Sequence, residues 1–278
     1  MIHLILAVVC SATISVLMRI SSDKVQGGMS MLAMNYLMCL VIAGFYTGWG
    51  NLAPQVPELS GAVWMGGIQG VLYFLGFVLL QLNIRKNGVV MSAIFQKLGL
   101  LVTMTASVFV FGEVPDVMQA VGFAIAVVAI VLINMEKDSA VVQSKVWLLV
   151  ILVCGGLADL MSKVYEQLGS QALSAQFLFY TFGAALLLCL VFMVKNGERP
   201  GKAEILCGFA VGVPNYFVAK FLLAALNTLP AVIVYPTFSV ATILAVTVAG
   251  VLVFREKLSK RQVAAIGIIL VALVLLNV

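Results

Sequence analysis

The chain has 278 residues, of which 63% are hydrophobic and 10% charged, with a mean hydropathy of +1.16. About a quarter of the residues in soluble domains are charged, so this composition excludes a soluble globular protein and calls for lipid as the solvent. The net charge of +5 does not point to nucleic acid, because the basic residues fall between apolar runs instead of forming one patch.

A helix needs about 20 apolar residues to cross the hydrocarbon of a bilayer. Such runs predict ten spans, in chain order 3–20, 29–48, 61–82, 88–111, 116–135, 146–168, 172–194, 204–226, 230–253 and 260–278. Charges, Gly or Pro bound them, as in Asp23-Lys24, Pro54 to Pro57, Arg85-Lys86, Glu136-Lys137-Asp138, Asn196 to Lys202 and Glu256 to Arg261. Backbone in lipid must satisfy its own hydrogen bonds, so runs this long are read as helices. The expected fold class is an all-α integral membrane protein forming one compact membrane domain.

Positive charge sets orientation. The loops after spans 1, 3, 5, 7 and 9 carry Lys24, Arg85, Lys86, Lys137, Lys145, Lys195, Arg199, Lys202, Arg255, Lys257, Lys260 and Arg261, with Arg19 beside them. The opposite side carries no Lys or Arg. Both termini are therefore expected outside the cytoplasm, in a cell inner membrane. The first apolar run follows only Met-Ile-His and closes at Arg19, so no cleaved leader is expected.

One pattern recurs 143 residues apart. Phe111-Gly112-Glu113 with Gln119 returns as Phe254-Arg255-Glu256 with Gln262, and Tyr73-Phe74 returns as Tyr216-Phe217. An offset of 144 carries Cys10 onto Cys154 and Tyr36 onto Tyr180. The reading is a duplication, with repeats at 1–138 and 145–278. Each repeat holds five spans, an odd number, so the second enters the bilayer from the opposite side. Inverted repeats predict a pseudo-two-fold axis in the membrane plane, a cavity near the midplane, and transport by alternating access.

The "F-x-E-x5-Q" signatures at Phe111 and Phe254, the small-residue helices Gly122-to-Leu132 and Gly267-to-Leu276, and Pro236 early in span 9 resemble the drug/metabolite transporter superfamily, specifically its ten-helix EamA-type members. At the place in span 4 matching Pro236 this chain has Ala93 instead of the usual proline, with Lys97 one turn on. The resemblance covers essentially the whole chain. It implies movement of small metabolites, often outward and often proton-driven, through a cavity lined by spans 1, 3, 4, 6, 8 and 9.

An ionisable group inside a span is a functional candidate by default, because inserting it is unfavourable. Lys97 in span 4, Asp159 and Lys163 in span 6, and Lys220 in span 8 qualify. Lys97 lies about 14 Å into its span, too deep to reach the interface easily, with Gln96 beside it. Asp159 and Lys163 are four apart and share a helical face; they either serve the site or neutralise each other, and Lys163 could instead snorkel outward. Asn215 and Tyr216 precede Lys220, and Tyr73 in span 3 joins them as a candidate for substrate binding or coupling. Asn35, Tyr36, Gln69 and Gln81 line the cavity or bond between helices. Glu113 and Glu256 read as interfacial carboxylates near the N-terminus of the next helix. Pro214 and Pro236 free backbone carbonyls and are hinge candidates.

Three lysines against one carboxylate make the interior positive, which favours an amino acid or another organic anion or zwitterion as substrate. Span 1 holds no carboxylate, only Ser11, Thr13 and Ser15 among such polar groups, which counts against simple cation/proton exchange. Five scattered cysteines and the lone His3 offer no metal site, and no cofactor is expected. The partners expected are a small-molecule substrate and the bilayer, with no nucleic acid. The Gly66-to-Gly70 and Gly208-to-Gly212 spacings are weak evidence for a dimer, leaving monomer or homodimer open. A flippase for a lipid-linked metabolite is the alternative, and a membrane-embedded lipid-modifying enzyme a more remote one.

Overall fold

The computed structural model describes residues 1–21, 24–134, 145–254 and 260–276. Their regular structure is helical throughout: α1 (Ile2–Ser21), α2 (Gly28–Thr47), α3 (Leu59–Lys97), α4 (Leu100–Phe111), α5 (Val117–Asn134), α6 (Lys145–Leu168), a 3-10 turn at Gln171–Leu173, α7 (Ser174–Lys195), α8 (Lys202–Leu226), α9 (Ala231–Phe254) and α10 (Lys260–Leu276). Seven of these, namely α1, α2, α3 over Leu59–Asn83, α6, α7, α8 and α9, are long and apolar enough to cross a membrane. The apolar stretches of α4, α5 and α10 are shorter.

One expected boundary moves. Arg85-Lys86 was expected to separate two spans, yet the helical backbone runs through both residues to Lys97 and breaks only at 98–99. Asn83 donates to the carbonyl of Leu79 at 3.0 Å and that of Trp147 at 2.9 Å. Lys86 sets its ammonium 4.8 Å from the centre of the Trp147 ring. The break falls where Gly99 touches the backbone of Gly156 on α6, with Thr103 Oγ1 donating to the Gly156 carbonyl at 2.9 Å. Backbone contact, not loop charge, decides where the helix ends.

Contacts divide the chain into two compact units, Met1–Phe74 with Met161–Ala224, and Leu75–Leu160 with Ala225–Val278. The chain therefore passes from one unit to the other inside α3, α6 and α8. In the first unit α2 packs along α7. Gly66 and Gly70 bring α3 against the α7 backbone, and Gly208 and Gly212 bring α8 against α2. A Cβ on Gly212 would lie 2.6 Å from the Asn35 carbonyl. The small-residue spacings that suggested a dimer face are thus taken up within this unit. The N-terminus of α2 has no side-chain cap of its own. Glu198 accepts from the Ser30 N–H at 3.0 Å, and Glu204 from the Gln26 N–H at 3.0 Å. Carboxylates at a helix N-terminus satisfy orphan donors and oppose the dipole.

In the second unit α5 packs along α10, and Leu100, Ala126, Val240, Ala272 and Leu276 form a buried cluster. α9 packs against α4 and α10.

Candidate functional site

The first unit carries a row of aromatic rings. Tyr73 of α3 lies 6.3 Å from Phe182 of α7, and Phe182 lies 6.2 Å from Tyr36 of α2 and 6.0 Å from Tyr216 of α8. Tyr216 then stacks on Tyr46 of α2 with centroids 5.6 Å apart and planes 15° apart. Phe182, Tyr216 and Tyr36 are buried, whereas Tyr46 is 52% exposed, so the row opens at Tyr46. There Lys220 seats its ammonium 3.1 Å from the Tyr46 ring centre. That is a cation–π contact. Beside the row, Asn215 donates to Asn35 Oδ1 at 3.2 Å, and the Cys39 thiol donates to the Gly212 carbonyl at 3.2 Å.

Of the expected site residues, Tyr73, Asn215, Tyr216 and Lys220 therefore come together, with Pro214 buried in α8 one residue before Asn215. Lys163 is also in this unit, 1% exposed, and its ammonium pairs with Glu166 at 2.5 Å. Glu166 went unread in the sequence, although acid three residues after base is a recognisable same-face pair. Tyr46 and Phe182 were missed too. No local signal marks them, because α2, α7 and α8 meet only in three dimensions.

The second unit holds the rest. The Asp159 main-chain carbonyl accepts the Tyr235 hydroxyl of α9, next to the buried Pro236. The Gln96 carbonyl accepts the Gly99 N–H at 3.2 Å, closing the α3–α4 turn. The Lys97 side chain lies outside the described residues, as do Lys137, Arg255, Glu256 and Lys257.

The first copy of the duplicated signature has a clear mechanical reading. Gly112, at φ 68°, ends α4 by donating to the Ser107 carbonyl. Asp116 and Gln119 exchange hydrogen bonds of 2.8 and 3.3 Å between backbone and side chain, a capping box on α5. Glu113, read as a carboxylate at the turn before the next helix, does sit in the turn between α4 and α5, and its side chain accepts from Ala231 and Val232 at 2.7 and 3.4 Å, capping α9. The spacing locates the turn but not the distant helix that the carboxylate serves. Along α4, Leu101, Val102, Thr105, Ala106 and Phe109 line an open apolar groove.

The model of the EamA-like transporter family matches the chain twice, over residues 1–135 and 144–278. A protein of Haemophilus influenzae, described as uncharacterized, is 22% identical over 272 residues, covering 93% of this chain and 91% of that one. A solved crystal structure matches 99% of this chain and 96% of its own with a TM-score of 0.77 at 15% identity, a likeness of fold alone. Matched across both halves, the chain belongs to the EamA-like transporter family, membrane transporters of small-molecule substrates in the drug/metabolite transporter superfamily.

Proposed function

We propose that the protein is a secondary active transporter that exports a small organic anion or zwitterion, such as an amino acid, by alternating access. Its ten helices are taken as ten spans, arranged as inverted repeats over 1–138 and 145–278. The separation of basic residues along the sequence supports an inner-membrane orientation with both termini on the non-cytoplasmic side. Lys97, Gln96, Asp159 and Lys163 are retained with Tyr73, Asn215, Tyr216 and Lys220 as binding or coupling groups, and Pro214 and Pro236 as hinges. Asp159 is the proposed proton site where flux is proton-coupled.

One observation carries the substrate class. Lys220 stands at the open end of the aromatic row and, among the described residues, rests its charge on a ring face and not on a carboxylate. A ring quadrupole stabilises an ammonium without cancelling its charge, so an anionic group arriving there would gain a counter-ion. The surrounding rings supply apolar contact for the body of a small solute.

The test is the purified chain in liposomes, screened by thermal shift against amino acids and organic acids, followed by counterflow of the compounds that bind. Stabilisation grows with the logarithm of ligand concentration over its dissociation constant. Carboxylate-bearing compounds should stabilise the wild type and lose that effect in Lys220→Met. Equal stabilisation of both proteins, or a response confined to cations, would overturn the substrate class.

A further inference from the structure

Tyr46 lies in the last turn of α2 and is 52% exposed, yet three residues of α8 converge on its ring. Tyr216 stacks on it with planes 15° apart, Phe217 meets it edge-on at 6.2 Å and 88°, and Lys220 sets its ammonium 3.1 Å from the ring centre. Tyr216 and Phe217 also touch each other, with centroids 5.5 Å apart. Tyr216 and Lys220 are four residues apart, about one helical turn, so α8 presents both to α2 from one side. A ring face that holds a cation by its quadrupole, with no carboxylate taking part, is the chemistry that recognises quaternary ammonium groups. Such groups have no N–H to donate and need none here. The Tyr46 ring therefore already holds an ammonium, one tied to the chain.

We infer that the Tyr46 ring face is a latent site for a quaternary ammonium, and that Lys220 determines specificity by filling it and rejecting organic cations. This rests on the transport reading and deepens it by naming what the site refuses. A tethered group competes as though present at about millimolar concentration, so a weakly held soluble cation loses the ring to Lys220. The lysine charge also repels any cation that approaches. Discrimination by a built-in clash is as effective as a better contact to the favoured solute. The site needs no further space, because the ligand would take the place of the lysine head itself. Truncating Lys220 vacates its outer stem and ammonium, room comparable to a trimethylammonium head, beside a ring that is open on its outer side.

The experiment melts wild type, Lys220→Ala, Lys220→Ser and Lys220→Ala with Tyr46→Leu, as full chains in nanodiscs free of choline lipids. The probes are choline and the neutral alcohol in which carbon replaces its nitrogen. Choline should stabilise Lys220→Ala and Lys220→Ser with the logarithm of its concentration, and leave wild type unmoved over the same range. The neutral alcohol should move none of them. Adding Tyr46→Leu should weaken choline binding by roughly 5- to 30-fold, the span from a partly exposed to a desolvated cation–π contact. Tyr46→Phe in the same background keeps the ring and should hold the affinity. Choline that stabilises wild type as well as Lys220→Ala would show that the lysine excludes nothing, and overturns the inference. It is overturned equally if choline stabilises neither lysine variant, or stabilises the Tyr46→Leu double variant as well as Lys220→Ala. Carboxylates that stabilise wild type would leave the transport reading standing in each case, because that reading is judged on the unaltered chain and this one on the truncated lysine.

Discussion

Two glycines in α3, three residues apart, should respond to the same substitution with opposite signs. A Cβ built on Gly70 would lie 2.7 Å from the Ala184 Cβ and 3.0 Å from the Ala185 amide, and closer still to the Thr181 carbonyl. A Cβ on Gly67 would meet nothing within 4 Å. At Gly70 the obstructing atoms are largely backbone of α7, so no rotamer change relieves them and the helices must separate. Overpacking of this kind is unfavourable by about 1–3 kcal/mol. At about 2–4 °C per kcal/mol for a chain of this order of size, Gly70→Ala should lower the melting temperature by roughly 2–12 °C. Gly67→Ala removes a helix-weakening glycine and gains up to about 1 kcal/mol, so its melting temperature should hold or rise slightly. Thermal unfolding in detergent, followed by tryptophan fluorescence and by monodispersity on size exclusion, reads both. Equal losses in the two variants, or a neutral Gly70→Ala, would refute the claim that α3 and α7 touch backbone to backbone at that turn.

Four further outcomes are expected. Lys163→Met strands Glu166 in a mostly buried position and should destabilise by about 3–5 kcal/mol, whereas Lys163→Met with Glu166→Leu should recover most of it; chemical denaturation of the three proteins measures the difference. Glu113→Ala removes the acceptor for Ala231 and Val232 and should weaken the structure by about 1–3 kcal/mol, with amide exchange quickening at those two residues and Glu113→Gln falling between. Lys97→Met should abolish transport in liposomes while expression and melting hold, and full flux would remove Lys97 from the pathway. Asp159→Asn should flatten the dependence of flux on an imposed pH gradient, and unchanged coupling would eliminate it as the proton carrier.

The helical class and the membrane environment were legible because composition and run length act locally. The same logic failed at Arg85-Lys86: charge suggested a loop, but the helix ends where Gly99 meets Gly156, a contact between residues 57 apart in sequence. Gly66, Gly70, Gly208 and Gly212 were visible as close-approach positions, while their partners α7 and α2 were not, because glycine advertises closeness without naming a neighbour. Lys220 and Tyr216 could be singled out as polar groups in an apolar run. Tyr46, which holds the Lys220 ammonium, lies 174 residues earlier and nothing around it signals the contact. Gln69 could be noticed in the sequence as a polar residue, but that its buried carbonyl meets no donor among the described residues is a property of packing, which no spacing encodes.

Because the chain changes unit inside α3, α6 and α8, neither unit can be finished during the early part of synthesis. The first awaits Ala224 and the second its very last segment. Helices α1 to α5 are therefore made before their partners α7, α8, α9 and α10, which leaves the Gly66 and Gly70 notches and the N-terminal amides of α2 open to wrong neighbours. A gene cut at residue 140 should consequently yield two fragments that are each degraded alone and rescued only when made together.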